Sequence, residues 1–205
     1  MRDIDAVLGI APVIPVLIIE DAAHARPIAE ALVGGGLRAL EVTLRTGCAF
    51  EAIAEMRRVP GAVVGAGSVL DEARLDRAIS SGAEFIVSPG LTDRLARAAG
   101  ERRIAFLPGI STASDIMRGL DHGLSSFKFF PAEASGGLPA LKALAGPFGQ
   151  ARFCPTGGVT PLNAKQYLAE KFVICVGGTW LCPPAAVMSR DWTKIAELAQ
   201  TAGRR

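Results

Sequence analysis

The chain has 205 residues, half of them apolar and 20% charged, with a formal net charge of +2. That length suits one domain with a full core, since single α/β barrels routinely exceed the usual length per domain. The small net charge and the lack of a run of five or more Lys/Arg argue against a nucleic-acid surface; the longest apolar run, residues 11–19, is broken by Pro12 and Pro15 and is too short to span a bilayer.

At the start, Met1-Arg2-Asp3 lacks the basic segment and cleavable apolar stretch of a secretory leader, so a soluble cytoplasmic protein is expected. Cys48, Cys154, Cys175 and Cys182 show no CxxC spacing and are expected as reduced core thiols. Short apolar runs then predict strands over residues 13–19, 39–43, 63–66, 85–88, 105–108, 126–129, 152–155 and 173–176. Helix-like segments alternate with them over 22–33, 49–58, 72–81, 93–99, 113–120, 138–145 and 162–169, and a last one over 192–202 closes the chain.

Punctuation agrees with this alternation. Gly36, Gly82 and Gly123 each stand between a helix and a strand, where a left-handed C-terminal glycine is expected. Thr92-Asp93, Ser111-Thr112 and Thr160-Pro161 offer helix N-caps, the last with proline at the first helical position. Arg57-Arg58 and Arg102-Arg103 stand near helix ends, where cations favour the dipole. Eight strands alternating with eight helices predict an α/β fold, a single-domain (β/α)8 TIM barrel over residues 1–205. A doubly wound sheet would carry a glycine fingerprint after its first strand, and Val16-Leu17-Ile18-Ile19-Glu20-Asp21 has none.

In a barrel, function collects at the carboxyl ends of the strands. There the chain places Glu41-Val42-Thr43-Leu44-Arg45, Gly65-Ala66-Gly67-Ser68, Ser88-Pro89-Gly90, Pro108-Gly109-Ile110-Ser111, Lys128, Pro155-Thr156-Gly157-Gly158 and Gly177-Gly178-Thr179. One of only five lysines, Lys128 sits in the aromatic run Ser126-Phe127-Lys128-Phe129-Phe130-Pro131. Burial and nearby positive charge favour the neutral form of an amine, and a neutral amine attacks carbonyl carbon. A wet strand face would serve such a lysine equally well.

Strand residues two apart share a face, so Glu41, Thr43 and Arg45 should point together, as should Ser126, Lys128 and Phe130, and Cys154 and Thr156. Phe127 and Phe129 would then face the helices. Glu41 reads either as a structural ion-pair partner of Arg45 or Lys128 or as a general acid/base. Arg45 suits a carboxylate or phosphate bound by a bidentate fork, or a solvated loop cation. The glycine pairs Gly157-Gly158 and Gly177-Gly178 end the last two strands, where barrels bind phosphate through backbone N–H groups. No HExxH, His/Cys cluster, GxSxG, P-loop or GxGxxG occurs, and His24 and His122 lie in helical stretches as expected surface residues. A metal or nicotinamide mechanism is therefore not expected.

With these residues in place, the chain resembles the 2-keto-3-deoxy-6-phosphogluconate (KDPG) aldolases, which share a family with the 4-hydroxy-2-oxoglutarate (KHG) aldolases. The resemblance runs from Pro12-Val13-Ile14-Pro15-Val16 to Gly177-Gly178-Thr179-Trp180-Leu181. Its most specific blocks are Leu40-Glu41-Val42-Thr43-Leu44-Arg45-Thr46, Val64-Gly65-Ala66-Gly67, Phe127-Lys128-Phe129-Phe130-Pro131-Ala132-Glu133 and Phe153-Cys154-Pro155-Thr156-Gly157-Gly158. It implies a trimeric class I aldolase that needs no metal or other cofactor. Such an enzyme cleaves a phosphorylated keto acid of the Entner-Doudoroff pathway to pyruvate and glyceraldehyde 3-phosphate.

Carried onto matching positions, the resemblance makes Lys128 the Schiff-base lysine and Glu41 the acid/base acting through water. Arg45 and Thr156 would contact the pyruvate carboxylate, Ser68, Pro89 and Phe130 would line the pocket, and Gly157, Gly158, Gly178 and Thr179 would approach the distal phosphate. Ser68 stands where relatives often have threonine and Thr179 where many have serine, which bears on substrate preference. Two other readings fit the same residues: a phosphate-binding barrel isomerase or synthase with Glu41 as base and Lys128 as its electrostatic partner, and a non-catalytic sugar-phosphate binder.

Overall fold

The computed structural model of the chain describes residues 3–203. Met1, Arg2, Arg204 and Arg205, and with them the leader reading at Met1-Arg2 and the outer ends of the expected domain, lie outside the described residues. Nine strand segments occur among the described residues: β1 (Val13–Leu17), β2 (Ala39–Thr43), β3 (Val63–Gly67), β4 (Phe85–Val87), β5 (Ala105–Leu107), β6 (Gly109–Ile110), β7 (Ser126–Phe129), β8 (Arg152–Pro155) and β9 (Val176–Gly178). The helices are α1 (Ile4–Leu8), α2 (Ala25–Gly34), α3 (Ala49–Met56), α4 (Glu72–Ser80), α5 (Asp93–Glu101), α6 (Ala113–Asp121), α7 (Gly137–Ala145), α8 (Ala164–Leu168), α9 (Pro184–Met188) and α10 (Trp192–Gly203). A 3-10 turn, Ala22–His24, precedes α2.

The strand pairings are parallel. One sheet runs β5-β4-β3-β2-β1-β9 and a second runs β6-β7-β8. Within the larger sheet the order is sequential and never reverses, so the switch point of a doubly wound fold is absent and that alternative falls. The sheets meet on both flanks. Between β5 and β6 stands Pro108, which has no N–H to give a ladder, while its carbonyl accepts from Lys128 N at 2.8 Å. Between β8 and β9, two isolated parallel bridges join Phe153 to Val173 and Thr156 to Gly177.

Local chemistry explains most boundaries. Thr92 Oγ1 accepts from Leu95 N at 3.2 Å, and Thr112 with Asp115 forms a full capping box, each cap contributing about 0.5–2 kcal/mol. Gly36, Gly82 and Gly123 are left-handed (φ +95°, +96° and +72°), and the N–H after each donates back five residues, from Leu37 to Leu32, Ala83 to Ala78 and Leu124 to Gly119. A fourth copy of this stop uses Arg103 at φ +52°, with Ile104 donating to Ala99, a position no glycine marked.

Many element boundaries shift by one or more residues from expectation, and four of the shifts stand out. Strand β1 ends at Leu17, leaving Ile18 46% exposed. The strand expected over 105–108 stops short of Pro108 and resumes at Gly109. The final strand lies at 176–178, not 173–176, because pairing with β1 begins at Val13↔Val176. The helix expected from Leu162 starts at Ala164; Asn163 Oδ1 accepts from Thr160 N at 2.7 Å, and Pro161 sits in a turn outside the helix. The five-residue helices α1 and α9 were too short to show periodicity.

Alternation divides the apolar residues into two sets. Leu40, Val42, Val64, Ile86, Phe106, Phe127, Phe129 and Phe153 face the helices in the larger core. There the Phe153 ring meets Phe127 at 6.3 Å and Phe172 edge-on at 6.1 Å. Ile14, Ala39, Val63, Phe85, Val87, Ala105, Leu107, Cys154 and Cys175 turn the other way and pack together with Val7 and Leu8 of α1. Ser126 Oγ donates to Asp5 Oδ1, tying α1 to β7. Cys154 and Cys175 are buried thiols with sulfurs 3.5 Å apart; Cys48 and Cys182 are only half-buried. His24, against the Trp192 ring, and His122, 3.0 Å from Asp93 Oδ1, are partly exposed.

Candidate active site

Because the paired strands run parallel, their carboxyl ends lie on one side, and the chemistry gathers there. In β2 the burial of all five residues leaves Leu40 and Val42 to the helix side and turns Ala39, Glu41 and Thr43 the other way. In β7 the same alternation sends Phe127 and Phe129 outward and brings Lys128 to Glu41. Lys128 Nζ donates to Glu41 Oε1 at 3.0 Å and to Oε2 at 3.4 Å. The two residues are 6% and 3% exposed.

Neither ion could sit there alone, since an unpaired buried charge is far costlier than a lost hydrogen bond. As a pair they satisfy each other, and removing one partner of such a pair typically costs about 3–5 kcal/mol. The exposed-face reading of Lys128 therefore falls, and of the two partners open to Glu41 the lysine is the one it takes. The Phe130 ring lies 5.3 Å from Nζ, near enough for a cation–π contact.

Space for the carboxylate comes from a missing side chain. Gly67 pairs with Thr43 across β2 and β3, and a Cβ on it would stand 2.2 Å from Glu41 Oε1. Gly65, one step deeper on the same face, makes room for the Phe85 ring, which a Cβ would meet at 2.4 Å. Thr156 is buried, and its Oγ1 donates to the Cys154 carbonyl at 3.3 Å; a Cβ on Gly177 would come within 2.3 Å of that oxygen.

The other expected residues lie at the same ends but nearer solvent. Arg45 is exposed, and its Nε donates to Ser68 Oγ at 3.3 Å; Ser68 holds a left-handed φ of +59° to meet it. The strand-face rule thus groups Arg45 with Glu41, whereas its hydrogen bond goes to β3's end. Pro89 is exposed. Gly157 and Gly158 are consecutive left-handed residues at φ +96° and +79°. Gly178 is buried, and a Cβ there would meet the Trp180 ring at 1.9 Å, so packing alone demands that glycine. Thr179, exposed beyond β9, edges a groove of about 600 Å³ shared with Val16, Ile18 and Cys182. Burial pushes the Cys182 thiol up to about 11.

Two supporting residues escaped the sequence reading. Ser88, 1% exposed, donates from Oγ to the Gly90 carbonyl at 2.6 Å and shapes the Pro89-Gly90 turn. Gly67 was named only within its strand end and the block Val64-Gly65-Ala66-Gly67, without a role of its own; its place one strand from Glu41 was the signal that could have marked it. Among the described residues no group of three or more His, Cys, Asp or Glu comes together in a way that could hold a metal ion. A buried amine, a carboxylate in hydrogen-bond contact and a hydroxyl at the next strand end can attack a carbonyl and move its protons.

Comparison with known proteins agrees with this chemistry. The family described as KDPG and KHG aldolase matches residues 4–198. A 2-dehydro-3-deoxy-phosphogluconate aldolase of Zymomonas mobilis is 58% identical over 202 residues, 98% of this chain and 96% of that one. The crystal structure of the Zymomonas mobilis ZM4 KDPG aldolase with 3-phosphoglycerate superposes with a TM-score of 0.96 at 58% identity, covering 100% of this chain and 96% of that one. A Legionella pneumophila KDPG aldolase holding pyruvate as a covalent carbinolamine gives a TM-score of 0.95 at 41% identity, with 98% of each chain covered.

Proposed function

This chain belongs to the KDPG and KHG aldolase family, and from that premise we propose how its own residues perform a Schiff-base aldol cleavage. The enzyme cleaves 2-dehydro-3-deoxy-6-phosphogluconate to pyruvate and glyceraldehyde 3-phosphate. The observation that carries the residue assignment is the buried contact of 3.0 Å between Lys128 Nζ and Glu41 Oε1 at the carboxyl ends of parallel strands. We read the two sheets, continuous through Pro108 and bridged between β8 and β9, as one closed eight-stranded barrel forming a single domain.

In the first step the Lys128 ammonium gives a proton to the Glu41 carboxylate beside it, and the neutral amine attacks the C2 ketone while Glu41 returns that proton to the carbonyl oxygen. Glu41 then takes a proton from the carbinolamine nitrogen and passes it to the hydroxyl, which departs as water and leaves the protonated imine and the carboxylate. The protonated imine is an electron sink. Glu41, through a water, takes the C4 hydroxyl proton; the C3–C4 electron pair moves onto the imine carbon skeleton, and the aldehyde leaves. Protonation of the enamine at C3 and hydrolysis release pyruvate and restore the amine.

Arg45 and Thr156 hold the carboxylate of the substrate in this reading, the first by a charge-assisted fork and the second by its hydroxyl. Ser68 steadies Arg45, and Pro89 and Phe130 wall the pocket. The backbone N–H groups of Gly157, Gly158, Gly178 and Thr179 receive the phosphate. KHG is a second substrate by the same route, since it presents the same 2-keto-4-hydroxy acid. No metal or other cofactor is required. A cytoplasmic homotrimer follows from the family resemblance, and light scattering on the purified protein tests the assembly.

Borohydride reduction in the presence of pyruvate tests the central assignment. An irreversible adduct on Lys128, located by mass spectrometry, is the expected result. Lack of labelling with both pyruvate and the keto acid substrate, or a Lys128→Ala protein turning over at near-normal rate, would overturn it.

A further inference from the structure

The Thr156-Gly157-Gly158 turn rests on two side chains that the cleavage itself does not use. The segment after β7 lies alongside the turn, with Ala132 N donating to Thr156 O at 2.8 Å and Glu133 N to Gly157 O at 3.0 Å. The Glu133 side chain packs directly on the turn: a Cβ on Gly158 would stand 2.6 Å from Glu133 Cβ and 2.7 Å from its Cγ. Its carboxylate accepts a hydrogen bond at Oε1 from the hydroxyl of Tyr167 on α8. Tyr167 is 1% exposed and so cannot follow a moving loop. Left-handed Gly137 (φ +63°) borders the contact, where a Cβ would sit in ordinary van der Waals contact, 3.5 Å from Glu133 Oε1 and 3.6 Å from the phenol oxygen. On the other flank Asn163 Nδ2 donates to the Gly158 carbonyl at 3.5 Å.

Two successive glycines have wide backbone freedom, and a turn made of them binds an anion well only if something else holds its N–H groups in place. Phenylalanine would fill the volume of Tyr167 equally well. What the hydroxyl adds is a pin on Glu133, and Glu133 is the wall behind Gly158. We propose that Tyr167 and Glu133 are a positioning pair that holds the Gly157-Gly158 turn ready for the substrate phosphate, and so sets affinity for the phosphorylated end. This rests on the assignment of that turn to the phosphate.

The test compares Tyr167→Phe, Glu133→Gln and Gly158→Ala with the parent enzyme. Two quantities are read: steady-state constants on the phosphorylated keto acid, and the pyruvate concentration giving half-maximal borohydride trapping, which involves no phosphate. Tyr167→Phe should raise KM about tenfold, with kcat and the pyruvate value unchanged within about twofold. Glu133→Gln, whose amide oxygen still accepts from the phenol, should stay near the parent. A Tyr167→Phe protein with unchanged KM, or with KM and the pyruvate value raised together, overturns the pair. If Tyr167→Phe does not fold, Glu133→Ala gives the same readout, and failure of both to fold makes the pair structural and sinks the proposal. Should Gly158→Ala also leave KM untouched, the phosphate assignment itself has failed. A raised KM in Gly158→Ala beside an inert Tyr167→Phe rejects only the pair.

Discussion

The interior face of the strands has two levels, and they are built to opposite rules. On the deeper level Ala39, Val63, Phe85, Cys154 and Cys175 close against one another and against Val7 and Leu8 of α1, leaving side chain against side chain. One step toward the carboxyl ends, β2, β7 and the end of β8 present Glu41, Lys128 and Thr156, and Gly67 of β3 stands beside Glu41. Below, volume is filled by apolar groups; above, it is cleared by glycine and occupied by a charge pair. Stability and chemistry are thus separated by a single period-two step of the strand.

That separation can be broken from either side. The largest effect expected is on the lower level: Phe85→Ala should lower unfolding free energy by about 3–5 kcal/mol in denaturant titration, while KM for the keto acid holds. A loss of affinity equal to the loss of stability would mean that the levels are not independent. On the upper level Gly67→Ala pushes the flexible end of Glu41 aside, so it should cost about a hundredfold in kcat with little change in melting temperature. Gly65→Ala, two residues away on the same face, collides instead with the confined Phe85 ring and should cost about 1–3 kcal/mol of stability with a smaller effect on kcat. Exchange of these two outcomes would refute the two-level account.

The smallest effect concerns Tyr167, the only tyrosine in the chain. Burial, and then the Glu133 carboxylate, push its phenol above the ordinary value of 10.0. The folded state therefore holds this proton more tightly than the unfolded chain. The stabilisation is complete below pH 10 and drains away as pH rises further through the folded value. Tyrosinate absorbance should appear together with alkaline unfolding rather than before it, and Tyr167→Phe should flatten that limb of the stability curve.

Much of this could be read in the chain before any coordinates. The alternation of Phe127, Lys128 and Phe129 placed two rings outward and the amine inward, and the structure keeps that arrangement. The helix stops at Gly36, Gly82 and Gly123 were legible because left-handed backbone selects glycine; the one at Arg103 was not, because there the conformation is imposed on a residue that does not advertise it. Helix α8 was misplaced at its start because Thr160 does not cap it: the Thr160 N–H and hydroxyl donate to Asn163 Oδ1, and the chain turns through Pro161 before Ala164. Arg45 was grouped with Glu41 by strand periodicity, which ceases to hold once β2 ends at Thr43.

By itself the sequence determined the parallel α/β alternation and the family, and it singled out Lys128 and Glu41 as candidates, because each depends on local pattern and residue type. Only the tertiary structure decided that Glu41 pairs with Lys128 rather than Arg45, that Gly67 is the space in which the pair sits, and that Tyr167 reaches Glu133 beneath the glycine turn. Lys128 and Glu41 are 87 positions apart and Tyr167 and Glu133 are 34 apart. Contacts across such separations follow from strand register and packing, which no local spacing encodes.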